Sequence, residues 1–487
     1  MQSKIDPDMV DLNERHELLY TSSPIAALPI EILSLVFHEV QRTRRATGKP
    51  MIPHVEITLS HVCSHWRAVA LSLPSMWCVF QHSYAPWYGP VRPTRERLAV
   101  YLERSGDHPF DLWIDFKTNE PAYQRLFFPL LEITLPHVHR FRVLHLLSNA
   151  NHPLKEFVEQ LASASAPLLE TCAICPDYSH TSLTSLIANK ADIFRSGVPS
   201  LKYLRMDETS MFGFLPPLDS VVHLRIETRR TVPSWIPNTA FDAILSLPNL
   251  ETLSLSIELF ELQAFPSRGS VPKEPIRANK LKHFRSAYVL INIYTLSHVV
   301  APSLESITMN GVDLAGLDDR PSIPNHVAFP SLRIVAFIRA KGGSHGARHG
   351  PNLQKLMAGT QNVEELLFWG KTGIEENTEK THCMLLGTDS APSPWKKIKK
   401  ATLNIPFSSP TEILLYHQFI AAKPNLEVLR VPPRCLELPT FLQGVPPHID
   451  LRAIDESEPP LPLCWVPGPD WLDTEEDPFL FYCRVFE

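Results

Sequence analysis

Cys172-Ala-Ile-Cys175 is the pair whose spacing suits a metal, because two thiolates three residues apart can grip one zinc ion. A structural zinc site needs a second Cys or His pair at standard spacing. None follows, so both thiols are expected to act as small buried hydrophobes. His38-Glu39 has no second His four residues after the first, and the glycine-rich run Lys341 to Gly350 lacks the Gly-Lys-Ser/Thr ending of a phosphate cradle. Cys63 lies beside Val62 and Trp66 on an apolar face and is expected in the core, not as a nucleophile. The chain therefore offers no catalytic residue, no metal ligand and no cofactor, and is not expected to be an enzyme. A hydrolytic or metal enzyme stays as the third reading, which metal analysis of the purified protein would expose.

Arginines are better placed to act. Arg142, Arg205, Arg225, Arg285 and Arg430 each stand between the last two apolar residues of one recurring phrase. Guanidinium forks suit carboxylate and phosphate groups, so this column points to an acidic or phosphorylated peptide. Arg140, His223, His283 and Lys400 add to it at the preceding outward position. The competing expectation is neutralisation within the chain, by Asp207 and Glu227 two residues beyond Arg205 and Arg225.

The phrase that places them is Pro or a polar residue, a spacer, then apolar residues spaced as L-x-x-L-x-L. Clear copies start at Pro199, Pro248, Pro302, Pro330 and Pro424, and weaker ones at Pro136, Pro167, Asp219, Asn279, Gln361 and Lys396. Alternation in each, as in Leu253-Ser254-Leu255, sends the leucines to a core and the intervening residue to the other face of a strand. Between phrases, segments such as Ala240 to Leu247 and Leu353 to Thr360 have helical spacing. A phrase of this form and period resembles the leucine-rich repeat, which implies a solenoid with parallel strands on the concave face and helices or loops outside. Tyr101 to Asp115 reads as its N-terminal cap repeat.

Ahead of the repeats, Ile32, Leu33, Val36, Phe37 and Val40 share a helical face that starts after Pro29 and Glu31, both favourable in a first turn. Leu59, Val62, Cys63, Trp66, Val69, Ala70 and Leu73 continue the period over four turns. The segment Arg42 to His54 between them reads as a solvated loop. Leu28-Pro29-x-Glu31-Ile32-Leu33, Val36-Phe37, Val62-Cys63-x-x-Trp66-Arg67 and Leu73-Pro74-x-x-Trp77, in that order, resemble the F-box family. That resemblance implies docking to the Skp adaptor, and through it to a cullin scaffold, by Leu28, Pro29, Ile32, Leu33, Val36, Phe37, Val62 and Trp66. F-box followed by leucine-rich repeats is an arrangement familiar from fungal F-box families.

The fold expected is α/β: an N-terminal extension 1–23, a helical F-box-like module 24–80, a linker 81–96, a leucine-rich-repeat-like solenoid 97–435 and a Pro-rich acidic tail 436–487. The function implied is substrate recognition in an SCF-type ubiquitin ligase, with the repeats holding an unknown target protein. The alternative is a scaffold or regulator that acts without ubiquitylation. With 46 basic against 52 acidic residues there is no general attraction to nucleic acid or to an anionic membrane. No apolar run approaches a bilayer span. Eight scattered cysteines and no Asn-x-Ser/Thr sequon suit a reducing compartment, cytoplasmic or nuclear. In the tail, Asp470, Asp473, Glu475, Glu476 and Asp477 surround Trp471, and an apolar Phe479 to Phe486 end follows. The tail is expected either to plug the basic concave face or to cap the last repeat near Leu429 and Val431.

Overall fold

The computed structural model describes residues 28–46, 54–83, 95–116, 129–148, 157, 159–176, 193–207, 215–227, 238–256, 275–287, 295, 299–310, 329–340, 360–370, 395–404, 410–455 and 479. Three helices come first: α1 (Ile30–Ala46), α2 (Val55–Ser60) and α3 (Ser64–Ser72). Pro29 and Glu31 start α1 as expected, with the Leu33 N–H donating to the Pro29 carbonyl at 3.0 Å. Leu33, Phe37 and Gln41, each four residues apart, form its buried face. Arg42 to Ala46, expected in a loop, extend this helix, because no breaker intervenes and Arg42 reaches back one turn to Glu39 at 3.0 Å. The rest of that loop, 47–53, lies outside the described residues. The second apolar stretch is broken at His61–Cys63. Cys63 is extended and partly exposed, and its Sγ accepts the Trp66 N–H at 3.4 Å as the N-cap of α3, so the expectation that it is core was wrong.

The repeat strands follow: β1 (Val79–Ser83), α4 (Arg95–Arg104), β2 (Phe110–Phe116), β3 (Phe141–Ser148), β4 (Thr171–Pro176), β5 (Tyr203–Asp207), β6 (His223–Glu227), α5 (Asn238–Leu245) and β7 (Thr252–Ser256). Then come β8 (Ile276–Arg277), β9 (His283–Ser286), β10 (Val299–Val300), β11 (Ser306–Asn310), β12 (Ile334–Ala340), β13 (Glu365–Gly370), β14 (Lys400–Asn404), α6 (Pro410–Ala422), β15 (Val428–Val431), α7 (Pro433–Leu436), α8 (Pro439–Leu442) and β16 (Asp450–Ala453). All but β8 and β10 form one parallel sheet of 14 strands in chain order, and β8 pairs with β10. This is an α/β fold with the strand order of a solenoid. The sheet starts before residue 97 and ends after 435, so β1 overlaps the expected module and linker, and β16 lies in the segment expected to be tail. Phe80 and Ile449, buried in the same core, explain why both ends continue the stack.

Pairing confirms the period of the phrase. Leu204, Leu224, Leu253, Phe284 and Ile307 occupy one row, and all are buried. One side chain not weighed in the sequence carries a second ladder. In four copies the residue after the phrase's first position reaches the first-position carbonyl of the preceding copy: Ser200 to Pro167 (2.7 Å), Asn249 to Asp219 (2.7 Å), Asn362 to Pro330 (3.0 Å) and Asn425 to Lys396 (3.0 Å). These bonds satisfy turn carbonyls and fix the stacking of successive copies.

The helices and the sheet share one apolar core running from Leu33 to Ile449. At their junction Gln41 donates to the Met76 carbonyl (3.1 Å) and the Trp77 indole to the Ala70 carbonyl (2.8 Å). Arg97 donates to the His54 Nε2 at 2.8 Å and to the Gln81 carbonyl at 2.9 Å, while the Tyr101 hydroxyl bonds the Glu56 carboxylate. An imidazole nitrogen that accepts from Arg97 is unprotonated. Burial, then the charge of Arg97, holds His54 down at about 4 and His82 at about 3. In the unfolded chain both would titrate near 6.5, so below that pH the unfolded state binds more protons and stability falls. The expected result is a urea midpoint that drops steadily between pH 6.5 and 4, with a shallower drop in His82→Asn. A variant profile matching wild type over that window would remove His82 from the account.

Candidate functional site

Two faces carry the residues singled out by the sequence. On the helices, the structure divides the expected adaptor-binding set in two. Leu33 and Phe37 are wholly buried, Phe37 packing against Trp66 with ring centroids 5.1 Å apart. Leu28 and Trp66 are partly buried against the same core. Direct contact by Leu33 and Phe37 is therefore corrected: they are a quarter-turn from the exposed stripe and can only position it. Pro29 is exposed, as are Ile32 (45%), Val36 (40%) and Val62 (54%). Ile30, Val40 and Leu35 (65%) extend the exposed apolar surface along α1. Of the ten large hydrophobics exposed among the described residues, seven lie between Ile30 and Leu71. That concentration singles out the helical module as the part of the surface with unburied apolar area.

The other face is the opposite side of the sheet from the main core. Its central row reads Trp113, His145, Ala173, Arg205, Arg225, Ser254, Arg285, Thr308, Ala336, Leu367, Thr402, Arg430 and Arg452 in paired register. Arg205, Arg225, Arg285 and Arg430 stand where the phrase puts them. Arg142 does not. The copy starting at Pro136 is three residues out of register, because Phe141, Leu144 and Leu146 are the buried triplet, and His145 takes the row position, stacked on Trp113 at 4.7 Å. Arg142 instead grips Asp111 with both fork nitrogens, at 2.9 and 2.6 Å. That bond holds its guanidinium above the usual range. Arg140 is also spent internally. It donates to the Ser105 hydroxyl and the Leu102 carbonyl, both at 2.8 Å, beneath the ring of Phe110.

The row is not an open basic surface. From Trp113 to Thr402 every member is buried, Arg205, Arg225 and Arg285 to 2% exposure or less. Each of those arginines is partnered within the folded chain, as guanidinium groups removed from water must be. The side chains of Asp207 and Glu227 lie outside the described residues. Ser254 stands on the face opposite Leu253, as expected, but is buried like it, and its Oγ accepts from Arg285 Nε (3.1 Å) and Nη2 (2.9 Å). Ser254→Ala should therefore cost about 1–3 kcal/mol in urea denaturation, since two buried N–H groups lose their acceptor. A change within about 0.5 kcal/mol would mean that water reaches this face.

No family model and no curated protein matches this chain. The resemblances thus rest on its own residues.

Just before each strand runs a separate column, Glu170, Lys202, Val222, Glu251, Lys282, Glu305, Arg333, Glu364, Lys399 and Glu427, joined by backbone bonds from copy to copy. Its charges alternate in sign, with Lys282 to Glu251 at 2.8 Å and Lys399 to Glu364 at 3.4 Å. Such an edge satisfies itself and presents no field of one sign. Cys172 and Cys175 are both buried, but three positions along a strand put them on opposite faces, Cys172 in the main core. Burial pushes the Cys172 thiol well above its ordinary range, because the apolar core disfavours the thiolate. His38 bonds Ser75 at 3.1 Å and Glu39 bonds Arg42, while the run Lys341 to Gly350 lies outside the described residues. Among the described residues no group of three or more His, Cys, Asp or Glu side chains is placed to hold a metal, and no helix is long and apolar enough to cross a membrane.

Proposed function

We propose that this chain is the substrate-recognition subunit of an SCF-type ubiquitin ligase, docking to the Skp adaptor through α1–α3 and holding a target protein on its repeats. The observation that carries the reading is the exposed apolar stripe of α1, with Ile32, Leu35 and Val36 in water while Leu33 and Phe37 fill the core. A helix apolar on two faces, one packed and one bare, is built for a partner. The F-box resemblance names that partner, and the order of motif blocks from Leu28 to Trp77 agrees with it. Such a chain would accelerate ubiquitylation by raising the local concentration of target beside the ligase machinery, with no chemistry of its own.

The test is affinity capture of the intact chain and of Val62→Asp, followed by mass spectrometry. Adaptor, cullin and ubiquitylated proteins retained by the first and lost by the second support the reading. Adaptor without cullin or ubiquitylated proteins would favour the scaffold or regulator, and capture of neither by the intact chain would overturn both.

A further inference from the structure

The face of the sheet opposite the main core carries a small second core, separate from the main one: Ala336, Ile338, Leu367 and Trp369 of β12 and β13, closed by Phe479. The row is polar on both sides of this patch, with Arg285 and Thr308 before it and Thr402 and Arg430 after it. Phe479 is 1% exposed, and it comes from beyond β16, after the last paired strand. It is therefore a guest on the solenoid, held by a tether, and not part of any repeat. Of the tail expected to plug the arginine face or to cap the last repeat, Phe479 lies against β12 and β13 on the face opposite the main core, and Trp471 and the acids beside it lie outside the described residues.

Two features give the pocket chemical selectivity. The Arg285 guanidinium, fixed from behind by Ser254, lies 4.7 Å from the centroid of the Phe479 ring, an arrangement that favours an aromatic over an aliphatic side chain. The Trp369 indole N–H, in a residue 4% exposed, has no hydrogen-bond acceptor among the described residues, so Phe479 fills the pocket without satisfying it. A ligand bringing an oxygen to that N–H would hold the site better than the resident does.

We propose that this pocket is a peptide-recognition site, occupied in the free chain by Phe479 as a tethered competitor, and that its incoming ligand is a protein segment presenting an aromatic side chain. A tether makes the competitor's effective concentration on the order of millimolar, so a weak contact keeps the site closed and a stronger segment can open it. The proposal concerns the repeats alone and does not depend on adaptor docking by the helices.

The probe is a labelled peptide of residues 470–487, titrated by fluorescence anisotropy into the full chain and into full-length Phe479→Ala. The variant is expected to bind it at least about tenfold more tightly than wild type, whose site is filled. Peptides carrying Phe479→Ala or Phe479→Leu should bind the variant several-fold more weakly, the leucine form because it loses the guanidinium contact, and Phe479→Tyr at least as well as the parent. Equal affinity of wild type and variant for the parent peptide would overturn the proposal. If the variant does not fold, hydrogen exchange on the wild-type chain decides. Excess parent peptide should speed exchange in 470–487 while the sheet stays protected, and unchanged exchange there overturns the idea of an exchangeable site.

Discussion

Phe37→Ala is expected to destabilise the chain by about 3–5 kcal/mol, the cost of emptying a buried aromatic site that neighbours cannot fill. Phe37 is wholly buried on the inner face of α1, packed on Trp66, in the core that also holds Leu33, Met76 and Trp77. Because that core continues into the sheet, the loss should appear in global urea unfolding as well as in the helices. Adaptor binding by the fraction that remains folded should survive, since the side chain is buried away from the exposed stripe. A loss below about 1 kcal/mol would mean that α1 packs differently from the arrangement described.

The second large effect runs the other way. Ile32→Ala combined with Val36→Ala should weaken adaptor binding at least about a hundredfold, because truncating central apolar anchors costs about 2 kcal/mol or more each when the effects add. Both side chains are exposed in the free chain, so the urea midpoint should hardly move. This pair is cleaner than Ile32 with Leu33, adjacent members of the sequence motif, because truncating Leu33 opens a cavity in the core and mixes folding with binding. Phe37→Ala and the double variant together separate positioning from contact: one should lose stability and the other affinity. Loss of stability in both would make the exposed stripe part of the fold.

Much of the fold was legible because a short phrase repeated. Leu253 and Leu255 announce a strand by alternation alone, and parallel pairing of the copies follows once each must bury the same face. The phrase failed where apolar residues run together. In Phe141-Arg-Val-Leu144-His-Leu146 two registers three residues apart are both permitted, and only pairing with Leu112 and Cys172 selects the one that sends Arg142 to Asp111. On α1 the motif marked the right helix but could not say which apolar residues face inward, since that depends on where Trp66 and Trp77 sit. The burial of Arg205, Arg225 and Arg285 was hidden for a related reason. Strand alternation gives the face, whereas the cover over Arg285 is Phe479, from beyond the last strand, which no local pattern encodes. Cys63 misled because an apolar period carries across a helix break without showing it.

The most direct test of the central claim is calorimetric titration of purified Skp adaptor into the full chain, with the Ile32→Ala, Val36→Ala double variant titrated in parallel. The account predicts saturable one-to-one binding by wild type and an affinity lower by at least about a hundredfold in a variant that unfolds at the same urea concentration. Absence of binding by the folded wild-type chain, or equal affinity for the two proteins, would contradict it.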